Sequence, residues 1–508
     1  MKDQKKAGII IQYINIVLNM VISIFFTPFL IKSLGNAEYG LYRIVQSFAG
    51  QLSIMTFGIG TIVTRNIVKY DTLNQKKEKE NFLAMSGIIS GVLAALVLIV
   101  GYVLSFGINS IYKNSLSVSE IALAKKLFTF LVINVAVTIM NDYAGGMVSG
   151  HERFIVKYGI TTLKYLLRFS TLILLLKMGF GALAIVATDL GLSVLILLIN
   201  TLYGFVKLKE RPKLYSFDKK EMIVIFSFSG AILFQAIANQ VNQNLDSMIL
   251  GAMTNSETVT VYSVGLTLFS VFIGITHVLS TVFTPQATKL VFKNSTGEEL
   301  TDFCIKPGRI QFMLGCLIVS GFLLFGKPFI FNWVGNGFED AYYVTVILFI
   351  PALIPLIQSM TNALLDAMLK RMGRSVILLC MAVFNIVISV ILINIVGFIG
   401  AAFGTALSYI IGFGILTNIY LKKVTTLNLK KMYKEIVTMP LLITLFAMLA
   451  YFVISKFIHF NYSLLHLLIG IVIYIAIWGG LMYFLAMNES EKNLFMKPIR
   501  KVVGKIFR

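Results

Sequence analysis

The chain has 508 residues, of which 57% are hydrophobic and only 13% charged, with a mean hydropathy of +0.85. A water-soluble chain carries roughly 25% charged residues, so a soluble fold is excluded, and the formal net charge of +21 has to be read by its placement along a membrane protein. Cys304, Cys316 and Cys380 are too few and too scattered for a disulfide framework or a metal cluster.

A helix that crosses the hydrocarbon needs about 20 mostly apolar residues. In chain order such stretches run over 8–31, 40–63, 82–106, 126–147, 156–177, 180–206, 222–252, 258–284, 310–334, 341–366, 375–396, 398–421, 435–456 and 463–487. The spacing predicts an all-α polytopic membrane protein with 14 transmembrane helices. The first stretch follows a basic start, as a secretory signal does, but it lacks a small-residue cleavage site and is too long for a signal core. It is read as an uncleaved first span.

Basic residues fall on alternate connections. Lys2, Lys5 and Lys6 come first, then Arg65, Lys69, Lys76, Lys77 and Lys79, then Arg153, then Lys207, Lys209, Arg211, Lys213, Lys219 and Lys220. Lys289, Lys293, Lys306 and Arg309 continue the series, followed by Lys370, Arg371 and Arg374, by Lys422 to Lys434, and by the tail from Lys492 to Arg508. The intervening loops carry almost none. This is the positive-inside bias, and it places both termini in the cytoplasm, with anionic lipid rather than nucleic acid as the partner of the basic rims.

The chain also resembles itself. Asn36, Glu38 and Tyr42 match Asn255, Glu257 and Tyr262 with one residue inserted; Asn141, Met147 and Arg153 match Asn362, Met368 and Arg374 at an offset of 221; Gly179, Phe180 and Asn200 match Gly397, Phe398 and Asn418 at an offset of 218. A unit of six crossings returns the chain to its starting side, so two such units form a parallel repeat related by a pseudo-two-fold axis along the membrane normal. The expected organisation is an N-terminal six-helix lobe over 1–206, a linker over 207–221 and a C-terminal six-helix lobe over 222–421. Helices 13 and 14 with a basic tail then occupy 422–508.

Two polar stripes interrupt the apolar spans. On the fifth, Lys157, Thr161, Lys164 and Arg168 recur at intervals of four, three and four and share one helix face. Intramembrane charges usually face a cavity or a partner, so this is a cargo-facing candidate; the alternative has the lysines snorkelling to the surface while Arg168 pairs with Asp189. On the seventh, Gln235, Asn239, Asn242 and Asp246 have the same spacing, and Asp246 is a candidate for binding a coupling proton or cation. Arg43 on the second span reaches either the same cavity or the interface. His277 reads as a hydrogen-bonded filler. Gly321, Gly326 and Lys327 imitate a phosphate loop, but Pro328 replaces the required hydroxyl. No catalytic triad or metal-ligand cluster is legible, so an enzyme is not expected.

The run from Phe29 to Tyr42 (FLIKSLGNAEYGLY), the segment Gly150-His151-Glu152-Arg153-Phe154 and the run from Asn244 to Gly251 (NLDSMILG) resemble the polysaccharide-biosynthesis flippases. These are the O-unit branch of the multidrug, oligosaccharidyl-lipid and polysaccharide exporter superfamily. The resemblance implies two six-helix lobes around a V-shaped cavity in the cell membrane, which turns a lipid-linked oligosaccharide from the cytoplasmic to the outer leaflet. It implies no cofactor beyond Na+ or H+ coupling, membrane lipids as surroundings, and a glycan polymerase and glycosyltransferases as candidate partners. Arg43, Lys164 and Arg168 are the expected cavity cations, and Arg168→Ala is expected to block export at normal protein level. The competing readings are a cation-coupled multidrug exporter of the same superfamily and a non-transport membrane subunit of a glycan assembly complex.

Overall fold

The computed structural model describes residues 2–56, 58–217, 240, 245–293, 295–368, 370–455 and 463–492. Among them the chain is helical with no strand, and twelve helical segments are long and apolar enough to cross a membrane. The helices are α1 (Lys2–Leu52), α2 (Ile59–Thr72), α3 (Lys76–Tyr112), α4 (Val118–Gly150), α5 (Phe154–Lys177) and α6 (Gly181–Leu202). After an interval come α7 (Ser256–Phe292), α8 (Gly297–Val334), α9 (Asp340–Ile357), α10 (Ser359–Ala367), α11 (Arg371–Val396), α12 (Ile399–Tyr409), α13 (Thr417–Val424), α14 (Leu429–Ser455) and α15 (Leu464–Leu481).

The chain divides into two compact units. One takes Met1–Ser263 with Leu378–Ala401, the other Val264–Ile377 with Ala402–Arg508. In the first unit, α1 is two helices joined at Gly35, whose φ of 77° and ψ of 168° lie in a region open essentially to glycine alone. The predicted second span over 40–63 is not one helix. After Leu52 comes a 3₁₀ turn, Ser53–Thr56, and Gly58, left-handed at φ 66°, starts α2.

The surface of α3 shows why the sequence belongs in lipid. Val92, Leu96, Ile99, Val103 and Phe106 recur every three or four residues and are all exposed, whereas the opposite face buries Ser86, Ser90, Val97 and Gly101. Hydrocarbon offers apolar side chains no reason to hide, so small residues that permit close helix approach take the interior. A Cβ on Gly101 would fall 2.4 Å from Val132 of α4.

Beyond α6 the chain is strapped back onto its own unit. Asn81 Oδ1 accepts from the backbone N–H groups of Tyr215 and Ser216 at 2.8 and 3.0 Å, and the Tyr215 hydroxyl donates to Glu80. Glu210 is buried; Lys79 Nζ lies 2.7 Å and His151 Nε2 2.6 Å from its Oε1. Burial alone would raise the Glu210 pKa, but the hydrogen bonds from His151 and Lys79 outweigh it and hold the carboxyl below its ordinary range.

In the second unit, α8 is the axis. Cys304, Phe312 and Cys316 pack with Ile357, Met360 and Leu364 and with Met432 and Ile436 of α14; further along, Met313 and Phe325 meet Tyr451, Tyr474 and Trp478. Arg309 fixes one end of this packing by donating to Glu491 and to the carbonyls of Glu435 and Ala486. The helices that follow the predicted repeats are therefore built into the core of the second unit.

Candidate functional site

The site lies within the first unit, where α2 and α4 approach with little between them. A Cβ on Gly146 would stand 2.9 Å from the Gly60 carbonyl oxygen, and one on Gly60 would stand 2.9 Å from that of Asp142. Thr64 Oγ1 donates to the Gly60 and Gly146 carbonyls at 2.7 and 3.2 Å, fixing the two helices polar edge to polar edge. From α6, Asn200 donates to Asn141 Oδ1 of α4 at 2.8 Å. The helix α5 closes the arrangement.

These four helices line an open cavity of about 610 Å³ whose wall includes Thr61, Thr64, Asn141, Asp142, Asn200 and, from α5, Lys157, Thr161 and Lys164. Three members of the predicted α5 stripe thus face one space. Lys164 and Asp142 are half-buried and Lys157 is exposed. None of these three charged groups has a salt-bridge partner within 4 Å among the described residues, although Lys157 lies 5.7 Å from the centre of the Tyr158 ring. Unpaired charges along apolar spans are costly to keep, and a cavity holding two ammonium groups, amides and hydroxyls can accept an anion by charge-assisted hydrogen bonds.

The fourth member of the stripe behaves differently. Arg168 Nε lies 2.5 Å from Asp189 Oδ1 and its Nη2 donates to Oδ2 at 3.0 Å, a bidentate ion pair between α5 and α6. The alternative pairing considered from the sequence is the one observed, so neither Arg168 nor Asp189 presents a free charge to the cavity. The reason is geometric: four residues beyond Lys164, α5 has passed the cavity and packs directly on α6.

Arg43 lies elsewhere on α1, where its Nη1 donates to Gln46 at 3.3 Å and its Nε is buried without a hydrogen-bond partner among the described residues. Asp246 is buried and accepts from the Tyr262 hydroxyl at 2.6 Å. Its stripe neighbours Gln235, Asn239 and Asn242 lie outside the described residues, as does the His277 side chain. Lys327 lies near the C-terminal end of the continuous helix α8 and donates to the Tyr343 hydroxyl, far from any phosphate-loop geometry.

Sequence reasoning missed Asp142. Its signal was present: Asn134, Thr138, Asn141 and Gly145 follow one another at intervals of four, three and four along α4, with Asp142 beside them, a polar stripe like that of α5. A second polar cluster lies in the other unit, where Gln358, between α9 and α10, donates to the Phe413 carbonyl at 2.7 Å and to Asn418 and Tyr433 at 3.1 and 3.0 Å.

Membrane-crossing helices with a polar, cationic cavity inside one bundle describe a multi-pass membrane protein. The chain belongs to the polysaccharide biosynthesis protein family, whose match covers residues 6–291, more than half of its length. It is 23% identical over 518 residues to the uncharacterized membrane protein EpsK of Bacillus subtilis (strain 168), covering 96% of this chain and 97% of that one. Among solved structures it resembles the lipid II flippase MurJ in an inward closed conformation at 16% identity and a TM-score of 0.73, over 97% of this chain and 99% of the other. It also resembles an inward-facing multidrug resistance MATE family transporter of the MOP superfamily at 17% identity and a TM-score of 0.65, over 81% and 96%. At such identities the shared feature is the fold; the two solved neighbours are themselves a flippase and a transporter.

Proposed function

We propose that the chain is a flippase that moves a polyprenyl-diphosphate-linked oligosaccharide repeat unit from the cytoplasmic to the outer leaflet of the cell membrane, for cell-surface polysaccharide. The observation that carries this reading is the cavity bearing Lys157 and Lys164 unpaired. The lipid tail of such a cargo is at home in hydrocarbon, whereas its diphosphate is not and needs hydrogen-bond donors and positive charge along its way. Two ammonium groups with Thr61, Thr161 and Asn200 nearby supply both. Family membership and the likeness to the lipid II flippase MurJ support the same reading.

The cavity opens to one side of the membrane and then the other, in the alternating manner of transporters built from repeated bundles. The repeat organisation of six plus six helices with two additional ones, both termini in the cytoplasm, and association with a glycan polymerase and glycosyltransferases belong to this proposal. So does coupling to a Na+ or H+ gradient through Asp246. A multidrug exporter for cations is disfavoured by the sign of the α5 charges.

The test is export of surface polysaccharide from cells carrying Lys164→Ala or the Lys157→Ala/Lys164→Ala pair. Export is expected to fall by roughly tenfold or more in the double variant, the loss of two charge-assisted contacts, with lipid-linked repeat units accumulating and protein level unchanged. Normal export in the double variant defeats the reading, and increased sensitivity to cationic drugs in its place would favour the exporter.

A further inference from the structure

Asp142 is the one carboxylate on the cavity wall among the described residues, and packing gives it no evident reason to be an acid. Its backbone oxygen meets α2 at Gly60, a contact any residue would make, while its side chain has no hydrogen-bond or salt-bridge partner among the described residues. The charged groups facing it are Lys157 and Lys164 of α5; α2 contributes Thr61 and Thr64, and α6 Asn200. A carboxylate on a membrane-crossing helix that none of the described residues bonds is a cost that function must justify.

The charge balance indicates what that function is. Two lysines and one aspartate give the described wall of the cavity one net positive charge. A diphosphate esterified at both ends carries two negative charges; on binding it would neutralise both ammonium groups and confront the fixed carboxylate. Asp142 therefore weakens the bound state. For a carrier this is useful, because a site must be attractive enough to fill and weak enough to empty.

We propose that Asp142 is the release element of this site: the carboxylate competes with the cargo's phosphates for Lys157 and Lys164 and keeps a dianionic head group exchangeable. The inference rests on the head-group reading above and adds to it a specificity rule. A diphosphate esterified at one end brings more negative charge than a monophosphate esterified in the same way, so Asp142 acts more strongly against the former, because the repulsion scales with the charge brought in.

The experiment measures binding of farnesyl diphosphate, farnesyl monophosphate and inorganic pyrophosphate to the purified full chain, as wild type and as Asp142→Asn, Asp142→Glu and Lys164→Ala. Asp142→Asn is expected to tighten farnesyl diphosphate roughly tenfold, with a smaller gain for the monophosphate, and to slow export in cells. Asp142→Glu should keep wild-type affinity. If Asp142→Asn does not accumulate, Asp142→Ser removes the same charge and is held to the same expectation. Unchanged or weaker diphosphate binding in the neutral variants, with binding lost in Lys164→Ala, overturns the release role while leaving the head-group site intact. Binding indifferent to Lys164→Ala overturns the head-group reading itself. Inorganic pyrophosphate should compete only at higher concentration, and competition equal to that of farnesyl diphosphate overturns a lipid-borne occupant.

Discussion

Arg168 and Lys164 share a helix face and a charge, yet their environments divide their roles. Lys164 opens onto the cavity, whereas Arg168 is clamped by both oxygens of Asp189. From the sequence, Arg168→Ala was expected to block export with protein level unaffected; the ion pair changes that expectation. Removing the guanidinium strands a largely buried carboxylate, which costs roughly 3 kcal/mol, the low end for a broken buried pair. The expected result is a lower melting temperature and reduced protein level for Arg168→Ala. Combining it with Asp189→Asn should recover most of the loss, and a single variant as stable as wild type would contradict the pairing.

Gly35 works on the scale of the element. It lets one continuous run of helical sequence turn between its two halves, at φ 77° and ψ 168°. Beside that turn, Glu38 accepts from the Ala182 N–H at 2.6 Å and so anchors the start of α6. Gly35→Ala would force a Cβ into a conformation it avoids, at a cost of about 1–3 kcal/mol. Nothing stands within 4 Å of the added carbon, so the loss of stability would be conformational and no repacking at neighbouring positions would relieve it. Thermal unfolding of Gly35→Ala in detergent measures this directly, and an unchanged midpoint would mean that the turn adapts.

At the scale of the whole molecule, the segment after α6 is fastened by Glu210, and that fastening carries a pH signature. The carboxyl is held below its ordinary range, with hydrogen bonds from His151 and Lys79 overcoming the effect of burial. A depressed folded-state value means that the stabilisation is fully present above the unfolded pKa, about 4.3 for glutamate. It is lost as the pH falls through the lower folded value. The melting temperature of the wild type should therefore drop on acidification below that range, and Glu210→Gln should start lower at neutral pH and show a flatter acid limb. Parallel acid limbs in the two proteins would show that other carboxylates carry the transition.

The sequence by itself determined the membrane class, the helical content, the approximate positions of most spans and the cationic face of α5. Each of these is a periodic or compositional property that a helix in hydrocarbon imposes locally, as the alternation of Val92, Leu96 and Ile99 with Ser86 and Ser90 illustrates. Family resemblance was legible for the same reason, in short runs such as that from Phe29 to Tyr42. Tertiary structure alone decided which cations are free. Whether Lys164 or Arg168 meets an acid depends on where α5 leaves the cavity and touches α6, a matter of crossing and depth that helical spacing does not encode. Asp142 stood beside a polar stripe of α4 in the sequence, but its place in a site became visible only once α2, α4, α5 and α6 were assembled, because an acid acquires its meaning from the side chains that a different helix brings opposite it.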